Sequence, residues 1–401
     1  MNKPARRGID LVDFLAKELE LLKAIHLYRR LPGPLEKPPR PGTIINGHDV
    51  LLFSSNNYLG LAQHPRVKAT AVEAVERWGT GSGGSRLTSG NFVLHRQLEE
   101  RIARFKGTED AIVFSSGFLA NLGVISALVG RGDLVLSDEL NHASIIDGCR
   151  LSRATVKVFH HRDTAHLRDI LLAERKSHRR CLIVTDGVFS MDGDIAPLPQ
   201  LLQLAEEFQA LLMVDDAHAT GVLGKKGAGT VEHFGLEGRG IIQMGTLSKA
   251  LGSEGGYVAG NAILVDYLRN RARSFIFSTA PSPPVVAAAM AALEVLEEEP
   301  HLLDQLHANV QRLYRGLKEM GFRVLPTASA IIPLMVGDAH HAMVLAAALA
   351  KKGVFVPAIR PPTVPEGTSR LRITVMATHK PEELQRALEA FLSAGKMLGL
   401  I

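Results

Sequence analysis

The 401-residue chain is poor in the residues that mark several classes of protein. It has two cysteines, Cys149 and Cys181, with no CxxC spacing. That excludes a disulfide framework and leaves no thiolate metal site to expect; two reduced thiols in a reducing compartment is the plain reading. Aromatic residues make up 5% of the chain, and its 46 basic residues barely outnumber its 41 acidic ones, with no block of either sign. A nucleic-acid interface would show clustered base interleaved with aromatics, so none is expected. The thin excess of +5 suits at most an anionic, phosphorylated ligand such as coenzyme A. No uncharged apolar run is long enough to span a bilayer, and the basic stretch Met1 to Asp10 has no apolar signal core. The expectation is a cytoplasmic protein that meets no membrane.

What remains is the composition of an ordinary globular protein, 46% hydrophobic and 22% charged. The spacing predicts an amphipathic helix over Leu11 to Leu31, closed by Pro32-Gly33-Pro34, and a short hairpin over Ile44 to Phe53 around Asn46-Gly47. From about His95 helical patterns alternate with short apolar strands. The strands are expected at 111–114, 134–137, 155–159, 181–185, 211–215, 241–244 and 256–259. Such a succession signifies a mainly parallel sheet buried on both faces, an α/β fold. Pro281, Pro283 and Pro284 interrupt it. A long helix is then expected over Val285 to Met320, followed by β-β-α-β-β-α, with its first strand at Phe322 to Leu325. The division expected is an N-terminal helix and hairpin over 1–54, a large α/β domain over 55–284 and a smaller α+β domain over 285–401. The run Gly79-Thr80-Gly81-Ser82-Gly83-Gly84 matches GxGxxG formally. A helical pattern precedes it where a dinucleotide fingerprint needs a strand, so that reading fails.

In an open α/β sheet, ligands sit at the carboxyl ends of the strands. There the chain places Ser115-Ser116-Gly117-Phe118, Asp138-Glu139-Leu140-Asn141-His142, Asp186 to Asp194, Asp215-Asp216-Ala217-His218, and Gly245-Thr246-Leu247-Ser248-Lys249. Most single aspartates after a strand cap a helix or form a turn, and Asp138, Asp186, Asp192 and Asp194 are read so. Lys249 closely follows an apolar run and is wrapped in small residues. Desolvation there would favour the neutral amine that attacks a carbonyl to form a Schiff base. Asp215 ends an apolar strand and could pair with a protonated ring nitrogen, keeping the ring an electron sink. His218 could donate to the ring's phenolic oxygen, and His142 has a flat face suited to stacking. The turn at Gly117 opens a helix, whose first N–H groups favour a phosphate.

Together these stretches, with Ser54-Ser55-Asn56-Asn57-Tyr58-Leu59-Gly60-Leu61 and Gly81-Ser82-Gly83-Gly84-Ser85-Arg86, resemble the pyridoxal-phosphate-dependent α-oxoamine synthases of aminotransferase fold type I. The resemblance runs from about Tyr28 to Leu398. It implies a large domain with a seven-stranded, mainly parallel sheet, and a smaller C-terminal α+β domain. It implies pyridoxal 5′-phosphate on Lys249, with Asp215 at the pyridinium nitrogen, His218 at the phenolic oxygen and His142 against the ring. Gly117, Phe118, Ser190 and Thr246 would line the cofactor. Ser278 and Thr279 match a segment that reaches the phosphate of a neighbouring subunit, which implies a homodimer with shared active sites. Ala358 to Pro365 and Arg370-Leu371-Arg372 resemble the branch serving biotin biosynthesis, which condenses L-alanine with pimeloyl-CoA or its acyl-carrier-protein equivalent. By that match Arg372, with Asn56 nearby, would take the amino-acid carboxylate in a bidentate fork. Thr363 would touch substrate, and Arg29 would meet the acyl thioester, with Tyr28 or Arg30 as alternative matches. Branches using glycine with acetyl-CoA, or serine with a long acyl chain, stay open. A member that kept the fold without catalysis is disfavoured by the joint presence of Lys249, Asp215, His218 and His142.

Overall fold

The computed structural model describes residues 11–24, 27–29, 31, 33–38 and 40–401. Helix α1 (Leu11–Ala24) is shorter than its sequence pattern, and the alternative match at Arg30 lies outside the described residues. None of its residues is buried, and Leu11, Phe14, Leu15, Leu19 and Leu22 are exposed. Strands β1 (Gly42–Ile45) and β2 (His48–Leu52) form the expected hairpin, with Asn46 and Gly47 both at positive φ as a tight primed turn requires. The hairpin does not stand apart, because β2 pairs in parallel with a strand of the C-terminal region.

After α2 (Pro65–Trp78) and α3 (Val93–Lys106), strands and helices alternate through β3 (Asp110–Phe114), α4 (Gly117–Leu128), β4 (Leu134–Asp138), α5 (Ala143–Ser152), β5 (Thr155–Phe159), α6 (Thr164–Glu174), β6 (Cys181–Asp186), α7 (Leu198–Glu207), β7 (Leu211–Asp215), α8 (Thr230–His233), β8 (Ile242–Thr246) and β9 (Gly256–Gly260). The seven strands lie in the order β3-β9-β8-β7-β6-β4-β5, all parallel except β9, which runs against both of its neighbours. Every residue of β3, β4, β6, β8 and β9 is buried, as a sheet covered on both faces requires. One face packs Phe114, Val124, Ile125, Met213, Met244 and Phe275; the other packs Leu136, Phe159, Leu167, Ile183, Leu201 and Val214.

The remainder is α9 (Ala262–Arg271), α10 (Arg273–Ile276), α11 (Pro283–Glu298), α12 (His301–Glu319), β10 (Ile331–Gly337), α13 (Ala339–Lys351), β11 (Val354–Phe355), β12 (Ala358–Ile359), β13 (Ser369–Thr374) and α14 (Pro381–Met397). Two expectations are corrected here. The single helix over 285–320 is two, broken at Pro300, which has no N–H to continue the ladder. Phe322 to Leu325 is not a strand; the segment turns after Gly321 and contributes one isolated bridge, Val324 to Leu334. Helix α11 packs on α2 and α3, so it belongs with the sheet layer, while β11 carries the N-terminal hairpin. No helix among the described residues is long and apolar enough to cross a membrane.

Candidate active site

The carboxyl ends of the parallel strands lie side by side, with Asp186 opposite Asp215 and Thr246 joined through Gly256 to Phe114. They enclose a cavity of about 180 Å³ lined by Ser116, Gly117, Phe118, Asn121, His142, Ser144, Asp186, Asp215, Ala217, His218, Met244, Thr246, Ser248 and Lys249. Eight of the residues singled out from the sequence therefore meet in one place: Gly117, Phe118, His142, Asp186, Asp215, His218, Thr246 and Lys249.

Each is fixed locally. The turn carrying Lys249 is closed by Leu247 N–H to Gly255 O at 3.0 Å and Ser253 N–H to Leu247 O at 2.9 Å. It bends at Gly252, φ +61°, where a side chain would strike the backbone of Leu61 and Ala62. His142 caps α5, its Nδ1 2.7 Å from Ser144 Oγ, and its N–H donates to Asp186 Oδ2 at 3.2 Å. Asp215 accepts from Asn121 Nδ2 at 2.7 Å and from the Ala217 N–H at 2.9 Å, so neutral donors orient a buried carboxylate. His218 is buried with its Nδ1 2.7 Å from the Tyr58 hydroxyl. Ser116 caps α4 through its side chain, leaving the Gly117 and Phe118 N–H groups facing the cavity end.

The charges follow from this enclosure. Desolvation depresses the Lys249 amine, with Asp215 and Asp186 opposing and the Arg372 guanidinium assisting. Desolvation holds His218 well below the ordinary imidazole range, and Lys249 and Arg372 add to it. Burial and the neighbouring Asp215 push Asp186 well above the usual carboxylate range. His142 is lowered by desolvation against the pull of Asp215. The site thus combines a lysine biased toward its neutral amine, an oriented carboxylate and a helix N-terminus. These fit an aldehyde cofactor bearing a basic ring nitrogen and a phosphate, and Asn121 Oδ1, buried without a partner, leaves the polar lining unfinished.

Arg372 and Asn56 come together beside this cavity. The guanidinium reaches Asn56 Oδ1 at 3.2 and 3.3 Å, and its Nε donates to the Ser190 carbonyl. Its head is not in solvent but buried, and among the described residues it has no carboxylate partner. Its neighbour Arg370 is committed to Asp192. Ser190 does not line the cavity; its role in the structure is that carbonyl. Ser278 and Thr279 also lie outside the cavity, where Ser115 Oγ meets Ser278 Oγ at 3.2 Å and Thr279 O at 3.0 Å. Arg29 and Thr363 meet in a separate groove of about 540 Å³, between α1 and the Arg360-Pro361-Pro362 segment. Sequence reasoning missed Asn121, whose only signal is a contact across the fold; it gave no role to Tyr58, though it quoted the stretch that holds it, or to Ser144, two residues from His142; and it took Asp186 for a turn former.

The aminotransferase class I and II family model matches residues 48–391. The 8-amino-7-oxononanoate synthase of Symbiobacterium thermophilum is 51% identical over 391 residues, covering 98% of this chain and all of the relative. Among solved structures, a serine palmitoyltransferase from S. paucimobilis with a bound pyridoxal phosphate–myriocin adduct superposes with a TM-score of 0.91 at 36% identity, covering 99% of this chain and all of that one. An 8-amino-7-oxononanoate synthase from Francisella tularensis superposes with a TM-score of 0.76 at 29% identity, covering 88% of this chain and 99% of that one.

Proposed function

The chain belongs to the pyridoxal-phosphate-dependent aminotransferase class I and II family, and from that premise we propose that it is an α-oxoamine synthase condensing L-alanine with a pimeloyl thioester. The products would be 8-amino-7-oxononanoate, carbon dioxide and the free thiol, a step of biotin biosynthesis. One observation carries the reading. A buried arginine with no carboxylate partner among the described residues stands within electrostatic reach of a lysine whose amine is depressed. A substrate carboxylate would complete the arginine, and the neutral amine would serve the cofactor.

In this proposal Lys249 Nζ holds the cofactor and moves the Cα proton of the amino acid. When bound, pyridoxal phosphate supplies the electron-withdrawing ring that stabilises charge developing at Cα. Asp215 keeps that ring's nitrogen protonated, His218 offers a proton to its phenolic oxygen, and His142 covers a face. The Gly117 and Phe118 N–H groups and Thr246 take the phosphate, with Ser278 and Thr279 serving the site of a partner subunit in a homodimer. Arg372 and Asn56 orient the carboxylate that is lost. Arg29 and Thr363, in their groove, meet the acyl thioester, carried by coenzyme A or an acyl-carrier protein. The compartment proposed is the cytoplasm.

A second reading is favoured by the closer superposition on the serine palmitoyltransferase: serine with a long acyl chain. A thiol-release assay on the holoenzyme, crossing L-alanine, glycine and L-serine with pimeloyl-, acetyl- and palmitoyl-CoA, separates the branches. Release with alanine and pimeloyl-CoA alone is expected. Release with serine and palmitoyl-CoA, or glycine and acetyl-CoA, would move the enzyme to another branch.

A further inference from the structure

Two aspartates that the sequence offers only as turn formers, Asp138 and Asp194, share one partner. The ring of His161 lies between them, Nδ1 3.0 Å from Asp138 Oδ1 and Nε2 2.9 Å from Asp194 Oδ2. A carboxylate only accepts, so both ring nitrogens carry hydrogen and the imidazole is a cation. The Phe189 ring stands perpendicular to it, centroids 4.3 Å apart. Arg162 reinforces the same joint, its N–H donating to Asp138 Oδ2 and its guanidinium to Asp194 Oδ2, both at 2.9 Å. Nearby titratable groups are Glu139, which accepts from the His161 N–H at 2.8 Å, and His160, 3.4 Å from Glu139 and packed against His166.

The two aspartates belong to segments with different tasks. Asp138 ends β4 and holds the turn to His142, accepting from the Leu140 N–H at 2.9 Å. Asp194 belongs to a short hairpin over 187–196, closed by Phe189 N–H to Asp194 O and by the Val188 to Ile195 bridge. That hairpin faces the C-terminal region. Its Ser190 carbonyl takes Arg372, its Asp192 takes Arg370, and its Gly193 carbonyl takes Thr327 and Ser329 at 3.1 and 2.8 Å.

We propose that His161 is a positioning residue for the amino-acid substrate. As a charged strut it fixes the 187–196 hairpin to the end of β4, and through the Ser190 carbonyl it sets where the Arg372 guanidinium presents itself. It touches neither substrate nor cofactor. The inference rests on Arg372 as the carboxylate site. Burial works against the ring's charge, but hydrogen bonds and attraction from Asp138 and Asp194 more than offset it, pushing the pKa up to about 9. A pKa raised in the folded state gives a contribution present in full below the ordinary imidazole value and lost as pH rises through the folded one. The strut is therefore charged at neutral pH and fails on the alkaline side.

The test is L-alanine binding to the holoenzyme, followed by the absorbance of the bound cofactor from pH 7 to 10, for wild type, His161→Gln and Asp194→Asn. Both variants should bind alanine about tenfold more weakly at pH 7.5, since each breaks a charge-assisted hydrogen bond. For His161→Gln the ratio of affinity to wild type should close toward unity above pH 9, because wild type then loses the same charge; for Asp194→Asn it should narrow without closing, because wild type keeps the Arg162 bond to Asp194. Titration of the amino acid and of Lys249 is common to all three proteins and cancels in the ratio. A ratio of unity at pH 7.5, or one constant through pH 10, overturns the proposal, and Asp194→Asn alone decides if His161→Gln does not fold. A wild type that responds to none of alanine, glycine and serine sinks the carboxylate site itself, and the strut with it.

Discussion

Asp215 and Asp216 are consecutive, and each is served by a lysine, yet the two pairs behave in opposite ways. On one side of the chain Asp216 receives Lys106 Nζ at 2.8 Å, together with the Thr230 N–H at 3.1 Å and the Thr230 hydroxyl. Lys106 also donates to the Ala228 carbonyl. Both side chains are fully buried, and although desolvation pulls the Lys106 amine down, the Asp216 carboxylate, together with Tyr257, more than offsets it and the pKa rises. On the other side Asp215 is held by Asn121 and a backbone N–H, and Lys249 has no ion pair among the described residues. Lys249 is only half-buried, and its amine is depressed. Burial alone therefore does not make a lysine nucleophilic. The more buried of the two is the more firmly charged, because its partner is in contact. The Lys249 amine stays depressed because the carboxylate is near but occupied by neutral donors.

The comparison can be broken from either side. Lys249→Ala should have the largest effect on chemistry, with thiol release and the absorbance of covalently held cofactor both lost. The apoprotein's unfolding midpoint should hold, since no ion pair is removed. Normal turnover in that variant would end the assignment. Lys106→Met should do the reverse and cost about 3–5 kcal/mol of stability, because it leaves the Asp216 charge buried without its cation. Denaturant unfolding measures that loss, and a change under about 1 kcal/mol would show that the pair is not structural. Asn121→Ala should have a smaller effect, weakening cofactor binding about tenfold by removing one hydrogen bond to the Asp215 carboxylate. Titration of the apoprotein with pyridoxal phosphate reads it, and unchanged affinity would mean that Asp215 keeps its place without Asn121.

This contrast was not legible in the sequence. Asp215, His218 and Lys249 could be read because each follows an apolar strand, and strand ends gather at one edge of a parallel sheet. The seven strands were found for the same reason: short buried runs leave a strong signal. Lys106 gave none, since it sits at the end of α3 like any solvated helix lysine, and its partner is 110 residues away. Tyr58 and His218 are 160 residues apart, and Arg372 and Asn56 316 apart, where only the family resemblance joined the latter pair. Asp138 and Asp194 do act in turns, as expected, but neither is used up by its turn: Asp138 Oδ1 takes the Leu140 N–H and also meets His161, and Asp194 closes its hairpin through its backbone carbonyl, leaving Oδ2 for His161. The misplaced strand at Phe322 and the unbroken helix over 285–320 came from apolar spacing that outweighed Gly321 and Pro300.

The pairing of β2 with β11 has a consequence in time. Strand β2 is made some 300 residues before its neighbour, Val354 and Phe355. All seven strands of the large sheet, and with them Asp215, His218 and Lys249, have been synthesised by Gly260. Closing a long loop has an entropic cost, so the sheet can assemble while the hairpin waits for its partner. Arg372 arrives later still, on β13. During synthesis the cofactor's side of the pocket is thus available before the arginine that would select the amino acid.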